Sequence, residues 1–240
     1  DRRALVLKTI DGLGKMTPEL ARSINGAETK IELEDIYAPF KPKRRTKAQA
    51  AREAGLEPLS EALLQNPALN PEAEAAKFVD SEKGIADTKA ALEGARHILI
   101  ERIAETPTLV GSLREWMWSD GELKSVVRKG KHEEGAKFSD YFEFGQRIKD
   151  IPSHRALAML RGLNEGVLAL ELDIPHEAGK THPAEGRIKN AFGIADRGRP
   201  ADAWLGETVH RAWADKLHGS LQSGLLARMK ERADAEAIGV

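Results

Sequence analysis

The dominant rhythm of apolar positions in this chain is three and four residues, the spacing of one helix face rather than of a strand. Leu20, Ile24, Ala27, Ile31, Leu33 and Ile36 follow it. Ahead of them, Thr17-Pro18-Glu19 supplies an N-cap, a proline at the first helical position and an acid beside the positive end of the helix dipole. The pattern predicts one helix running to about Ile36. The tract from Tyr37 to Pro42 must break it, because each proline disfavours helix in the residue before it. Thr46 can cap a short helix ending at Gly55, and a second starts near Pro58. Asn70-Pro71 and Thr106-Pro107 repeat the cap-then-proline signal. Ala90, Leu92, Ala95, Ile98, Leu99, Ile103 and Ala104 mark a long amphipathic helix, and Leu109 to Trp118 another.

The pattern changes between 121 and 150. Gly121, Gly130, Gly135 and Gly145 interrupt short stretches such as Val126-Val127, which predicts irregular structure with brief helix or strand. Ser153 caps a helix to about Asn164, and Gly166 ends it. Val167 to Ile174 is the one well-marked strand, 175–182 is loop, and two further helices run from Pro200 to about Leu217 and from about Leu221 onward. The fold class is therefore mainly α: multi-helical, with helix-turn-helix-like elements and one or two short strands. The boundary falls at 165/166, between a helical region over 1–165 and a strand, loop and helices over 166–240. No fixed period recurs, which argues against a solenoid.

Composition supports a folded domain. Of 240 residues, 41% are hydrophobic and 31% charged, and the net charge of −1 leaves room for opposed patches. The absence of cysteine excludes disulfides, thiolate metal sites and a cysteine nucleophile, and fits a reducing, cytoplasmic setting. No apolar run approaches the roughly 20 residues that span a bilayer, so no membrane partner is expected. The start at Asp1-Arg2-Arg3 and the helical pattern persisting to the end both read as boundaries within a longer protein.

The chemistry-bearing motifs are mostly negative. The seven histidines show neither i, i+4 pairing nor HExxH. His176 and His182 share a loop with Glu177 and Glu185, an arrangement ordinarily just solvated, so no metal and no cofactor is expected. Gly179-Lys180-Thr181 ends like a phosphate loop, but Ile174 stands where the first glycine belongs, and His182-Pro183 is read as disrupting the helix start. No catalytic residue is expected. The positive signal is Lys41-Pro42-Lys43-Arg44-Arg45-Thr46-Lys47, five cations in seven residues of a segment that carries no acid between Tyr37 and Arg52. Prolines extend it, so Lys41, Lys43, Arg44, Arg45 and Lys47 are the candidate nucleic-acid-binding residues, suited to phosphate contacts and blind to base sequence. The alternative is a solvated loop paired with nearby acids. Thr46 to Leu64 opens like a helix-turn-helix, but Glu61 stands where an apolar residue would hold the second helix, so a helical hairpin is expected. Weaker basic clusters lie at Lys124, Arg128, Lys129, Lys131 and Lys137, and at Arg187, Lys189, Arg197 and Arg199. Trp116, Trp118, Trp204 and Trp213 read as core anchors.

Long strings in the chain carry a resemblance. Leu33-Glu34-Asp35-Ile36-Tyr37, Pro39 to Ala48, Ala51 to Leu59, Glu93-Gly94-Ala95-Arg96, Pro152 to Leu157 and Asp196 to Asp202 resemble the signature of the bacterial Tex family of transcription accessory proteins. The resemblance runs over nearly the whole chain and implies the N-terminal helical region that precedes a RuvC-like (YqgF) domain. It also implies a role in transcription, with RNA or DNA and the transcription machinery as partners. The family's main nucleic-acid-binding domain is C-terminal, so none of its binding residues has a counterpart here. The expected function is a non-catalytic, sequence-nonspecific nucleic-acid-binding module. The alternative is a scaffold or protein-docking module that positions the binding domains of the full-length protein.

Overall fold

The computed structural model describes residues 1–41 and 44–239, and the chain divides into two compact units, Asp1–Thr46 and Lys47–Val240. It is mainly α-helical with one small sheet, as expected. In the first unit, α1 (Arg2–Gly12), α2 (Pro18–Gly26) and α3 (Lys30–Tyr37) enclose Val6, Ile10, Ile24, Ala27, Leu33 and Tyr37. The single helix expected to Ile36 is thus two. Thr29 and Glu32 form a capping box that starts a new helix three residues after Gly26, since each side chain satisfies the other's end of the first turn.

The second unit opens with two short helices, α4 (Lys47–Glu53) and α5 (Glu57–Gln65), turning at Gly55, whose φ of +80° favours glycine. The long α7 (Thr88–Ala104) packs against α4, and also against α5 and α6 (Pro71–Ala76). The approach to α4 and the turn after it is close because Gly94 carries no side chain: a Cβ there would lie 3.4 Å from Ala51 Cβ and 2.3 Å from Leu56 Cδ1. Buried Arg96 ties α7 to α11 (Asp202–Arg211), donating to Glu93 at 2.6 Å and to Thr208 Oγ1 at 3.1 Å. A buried guanidinium is tolerated only when so satisfied.

After α8 (Pro107–Asp120) come the strands that the glycines obscured. β1 (Glu122–Val127), β2 (Glu143–Arg147) and β3 (Leu168–Asp173) form an antiparallel sheet in the order β2-β1-β3, with Ser125 opposite both Phe144 and Leu170. Leu168, Leu170 and Leu172 point into the core, and α9 (Ser153–Asn164) packs on β3. The free edge of β3 is covered from α12 (His218–Ile238): Gln222 accepts from Leu172 N–H at 3.0 Å and reaches Leu170 C=O at 3.4 Å. Side chains here do the work of a fourth strand.

Two sequence readings near the C-terminus are corrected. Pro183 starts α10 (Pro183–Phe192) instead of disrupting it, because proline fits the first helical position and His182 Nδ1 caps it by accepting from Ala184 N–H at 3.0 Å. Nor is there a break near Leu217. A π-helical segment, Ala212–Leu217, joins α11 directly to α12 and keeps Trp213 and Leu217 on the buried face. Among the described residues, no helix is long and apolar enough to cross a membrane.

Candidate functional site: a basic run and a histidine-lined cleft

The basic run is only partly available for contacts. Lys41 Nζ lies 3.1 Å from Glu34 Oε2, and the same carboxylate takes Arg2 in a two-bond fork at 2.6 and 3.0 Å. Arg2 first, then Lys41, hold the Glu34 carboxyl down at about 2. Both cations also lie near the Tyr37 ring, at 5.3 and 5.7 Å. Lys43 lies outside the described residues. Arg44, Arg45 and Lys47 are exposed, Arg45 with an interaction of its own, and Lys47 is the first residue of α4.

The two weaker clusters are largely spent within the fold. Lys131 pairs with Glu134 and Lys137 with Glu165, while Arg128 Nε donates to Leu168 C=O. Arg199 pairs with buried Asp202, which also accepts from the amides of Arg197 and Arg199. Trp204 and Trp213 are buried as expected. Trp116 and Trp118 are half-buried: Arg187 stacks on the first at 3.9 Å, and Arg228 on the second at 4.2 Å.

The larger feature is a cleft of about 720 Å³ lined by Glu171, Asp173, His176, Lys180, His182 and His218, among others. Of the two loop histidines, His176 is exposed as the sequence suggested, but the His182 side chain is only 10% exposed. Asp173, the last residue of β3, accepts from His182 Nε2 at 2.7 Å, and its carboxylate lies 3.8 Å from His218 Nε2 and 3.9 Å from His176 Nδ1. Backbone carbonyls orient two of the rings, His176 Nδ1 toward Ile174 O and His218 Nε2 toward Leu172 O, at 2.8 and 2.7 Å. Trp213 stacks on His218 with ring centroids 5.1 Å apart and an interplanar angle of 9°, and lies 4.7 Å from His182. Burial pushes the Asp173 carboxyl up, but the His182 hydrogen bond and nearby imidazole charge outweigh it, so the net direction is down. On the rim, His210 bonds buried Glu185 at 3.1 Å, which raises its pKa. Sequence spacing could not assemble this cluster: Asp173 ends a strand, and His218 returns to it only after α10, α11 and the π-helical segment.

A mainly α-helical region with a small antiparallel sheet and a partly exposed cationic run is the class that fold and site define. The family model described as Tex central region-like matches residues 66–240, and the chain belongs to the Tex family. It is 47% identical to protein YhgF of Escherichia coli over its full length, and 47% identical to protein tex of Bordetella pertussis over 98% of it. Across the whole chain it is 44% identical to transcriptional accessory protein Tex of Neisseria gonorrhoeae. The chain spans 31% of the length of each of these relatives.

Proposed function

We propose that this chain is a non-catalytic helical module of a cytoplasmic transcription accessory protein, and that it touches the phosphate backbone of RNA or DNA through its basic run. The observation that carries this reading is the exposure of Arg44, Arg45 and Lys47 on a stretch that holds no acid from Ala38 through Arg52. Cations held out to water, with no acid along their own stretch, can displace counterions condensed on a polyanion, giving affinity without base selectivity. The name of the gonococcal relative, transcriptional accessory protein, supports the cellular setting. Lys41 contributes least, because Glu34 already holds it.

The test is a fluorescence-anisotropy titration of the full-length protein with single-stranded RNA and duplex DNA at several salt concentrations. Arg44→Glu with Lys47→Glu should weaken binding and flatten the plot of log K against log salt by about 1.5, the share of two phosphate contacts. Glu at the first turn of α4 suits the helix dipole, so the fold is retained. An unchanged slope removes these residues from the interface. A second reading, a scaffold that positions the other domains, is favoured by the internal pairing of Lys131, Lys137 and Arg199. It predicts that the double substitution leaves nucleic-acid affinity at low salt unaltered.

A further inference from the structure

We infer that the histidine-lined cleft is a binding site for a borderline divalent transition metal, with Zn²⁺ the natural occupant. Donor atoms of Asp173, His176 and His182 lie within 4.8 Å of one another, and those of Glu171, Asp173 and His218 do likewise, so the two sets share one carboxylate. A donor set of imidazole nitrogens and carboxylate oxygens, without sulfur, suits Zn²⁺, Co²⁺ or Ni²⁺. It is too nitrogen-rich for Ca²⁺ or Mg²⁺, which take oxygen ligands.

The rings around Asp173 are held by hydrogen bonds that an ion would have to use or replace. A metal-bound histidine commonly donates its other ring N–H to a carbonyl or carboxylate, which fixes the tautomer and frees one nitrogen for the ion. His176 bonds Ile174 O through Nδ1 and His218 bonds Leu172 O through Nε2, the same nitrogens that lie 3.9 and 3.8 Å from the Asp173 carboxylate, so an ion would take the opposite nitrogen of each ring or displace these bonds. Trp213 backs the rings of His182 and His218 on the core side, and the cleft on the other side gives an ion its way in. His182 must change most. Its Nδ1 accepts from Ala184 N–H, so its proton sits on Nε2 and is given to Asp173. When Nε2 takes the ion, that proton goes to water and Nδ1 takes one up, leaving the ring neutral and the Ala184 amide without its cap. The strain falls on the first turn of α10, so metal loading should register there.

Full-length protein without a polyhistidine tag would be stripped with EDTA and dialysed against Zn²⁺, and bound metal counted by mass spectrometry. Co²⁺ absorption in the visible gives a second reading. Asp173→Asn and His176→Gln should each weaken binding by about tenfold or more, whereas His154→Gln, at an exposed histidine on α9, should not. His176 lies in a loop, so its variant keeps the fold even if Asp173→Asn does not, and metal-free thermal melts verify this. Zn²⁺ binding unchanged in the folded His176→Gln protein, or absent from the wild type, overturns the inference.

Discussion

Glu34 shows how much one exposed carboxylate can be changed by its neighbours. Arg2 grips both oxygens and Lys41 adds a third contact, so the acid remains ionised far below its ordinary range, with a value of about 2 against 4.5. A depressed carboxylate contributes its stabilisation in full above its unfolded pKa and loses it as pH falls through the folded one. The first unit should therefore keep this contribution from neutral pH to about pH 4 and shed it toward pH 2. NMR titration of the Glu34 side chain checks the value, and Glu34→Gln should remove the acid-dependent part of the melt; a midpoint near 4.5 would show the fork to be too exposed to matter. Residue-scale chemistry of this kind was half legible. The sequence marked Lys41 as an available cation because no acid lies between Tyr37 and Arg52. The acid that claims it lies seven residues earlier, on the α3 turn that the helix break hides.

At the scale of elements, two caps were legible and the edges were not; Thr106 sits at its N-cap without a capping bond, and Ser153 lies inside α9, which starts after Pro152, with its hydroxyl on Glu236. Thr17-Pro18 and Asn70-Pro71 start helices where their side chains accept first-turn amides, a local signal that needs no tertiary knowledge. β1 was marked only by Val126-Val127, read as brief helix or strand, and β2 escaped, both for tertiary reasons. In β1 the core-facing positions are Leu123 and Ser125, and a buried serine erases the alternation; its hydroxyl donates to Tyr141 C=O. β2 has no fully buried residue, as suits a strand at the edge. The opposite edge depends on Gln222. Gln222→Leu would leave the Leu172 amide and Leu170 carbonyl unpaired beside an apolar group and should cost about 1–3 kcal/mol in chemical denaturation. Hydrogen exchange at Leu172 should accelerate; protection equal to wild type would mean that α12 does not seal the strand. Gly94→Val tests helix packing in the same way. A branched side chain must displace Leu56, which is 3% exposed, so a loss of about 1–3 kcal/mol is expected.

At the scale of the molecule, each unit has a core of its own. Among the described residues six buried ones serve the first, while the second holds a continuous cluster from Ala51 to Ala233 that takes in residues of its helices and of its sheet. Such a core is small for a 46-residue segment, since short chains bury too little surface to offset their conformational entropy. The second unit has no such shortage. Its sheet is closed at β3 by α12, and its longest helix, α12, packs along α9 and α8 as well. A fragment spanning 47–240 should therefore fold alone, with native far-UV circular dichroism and one cooperative thermal transition. The family match, residues 66–240, lies within this unit. If the fragment instead melts broadly and binds hydrophobic dye, the segment before Lys47 is needed to complete the larger core, and the division into two folding units fails.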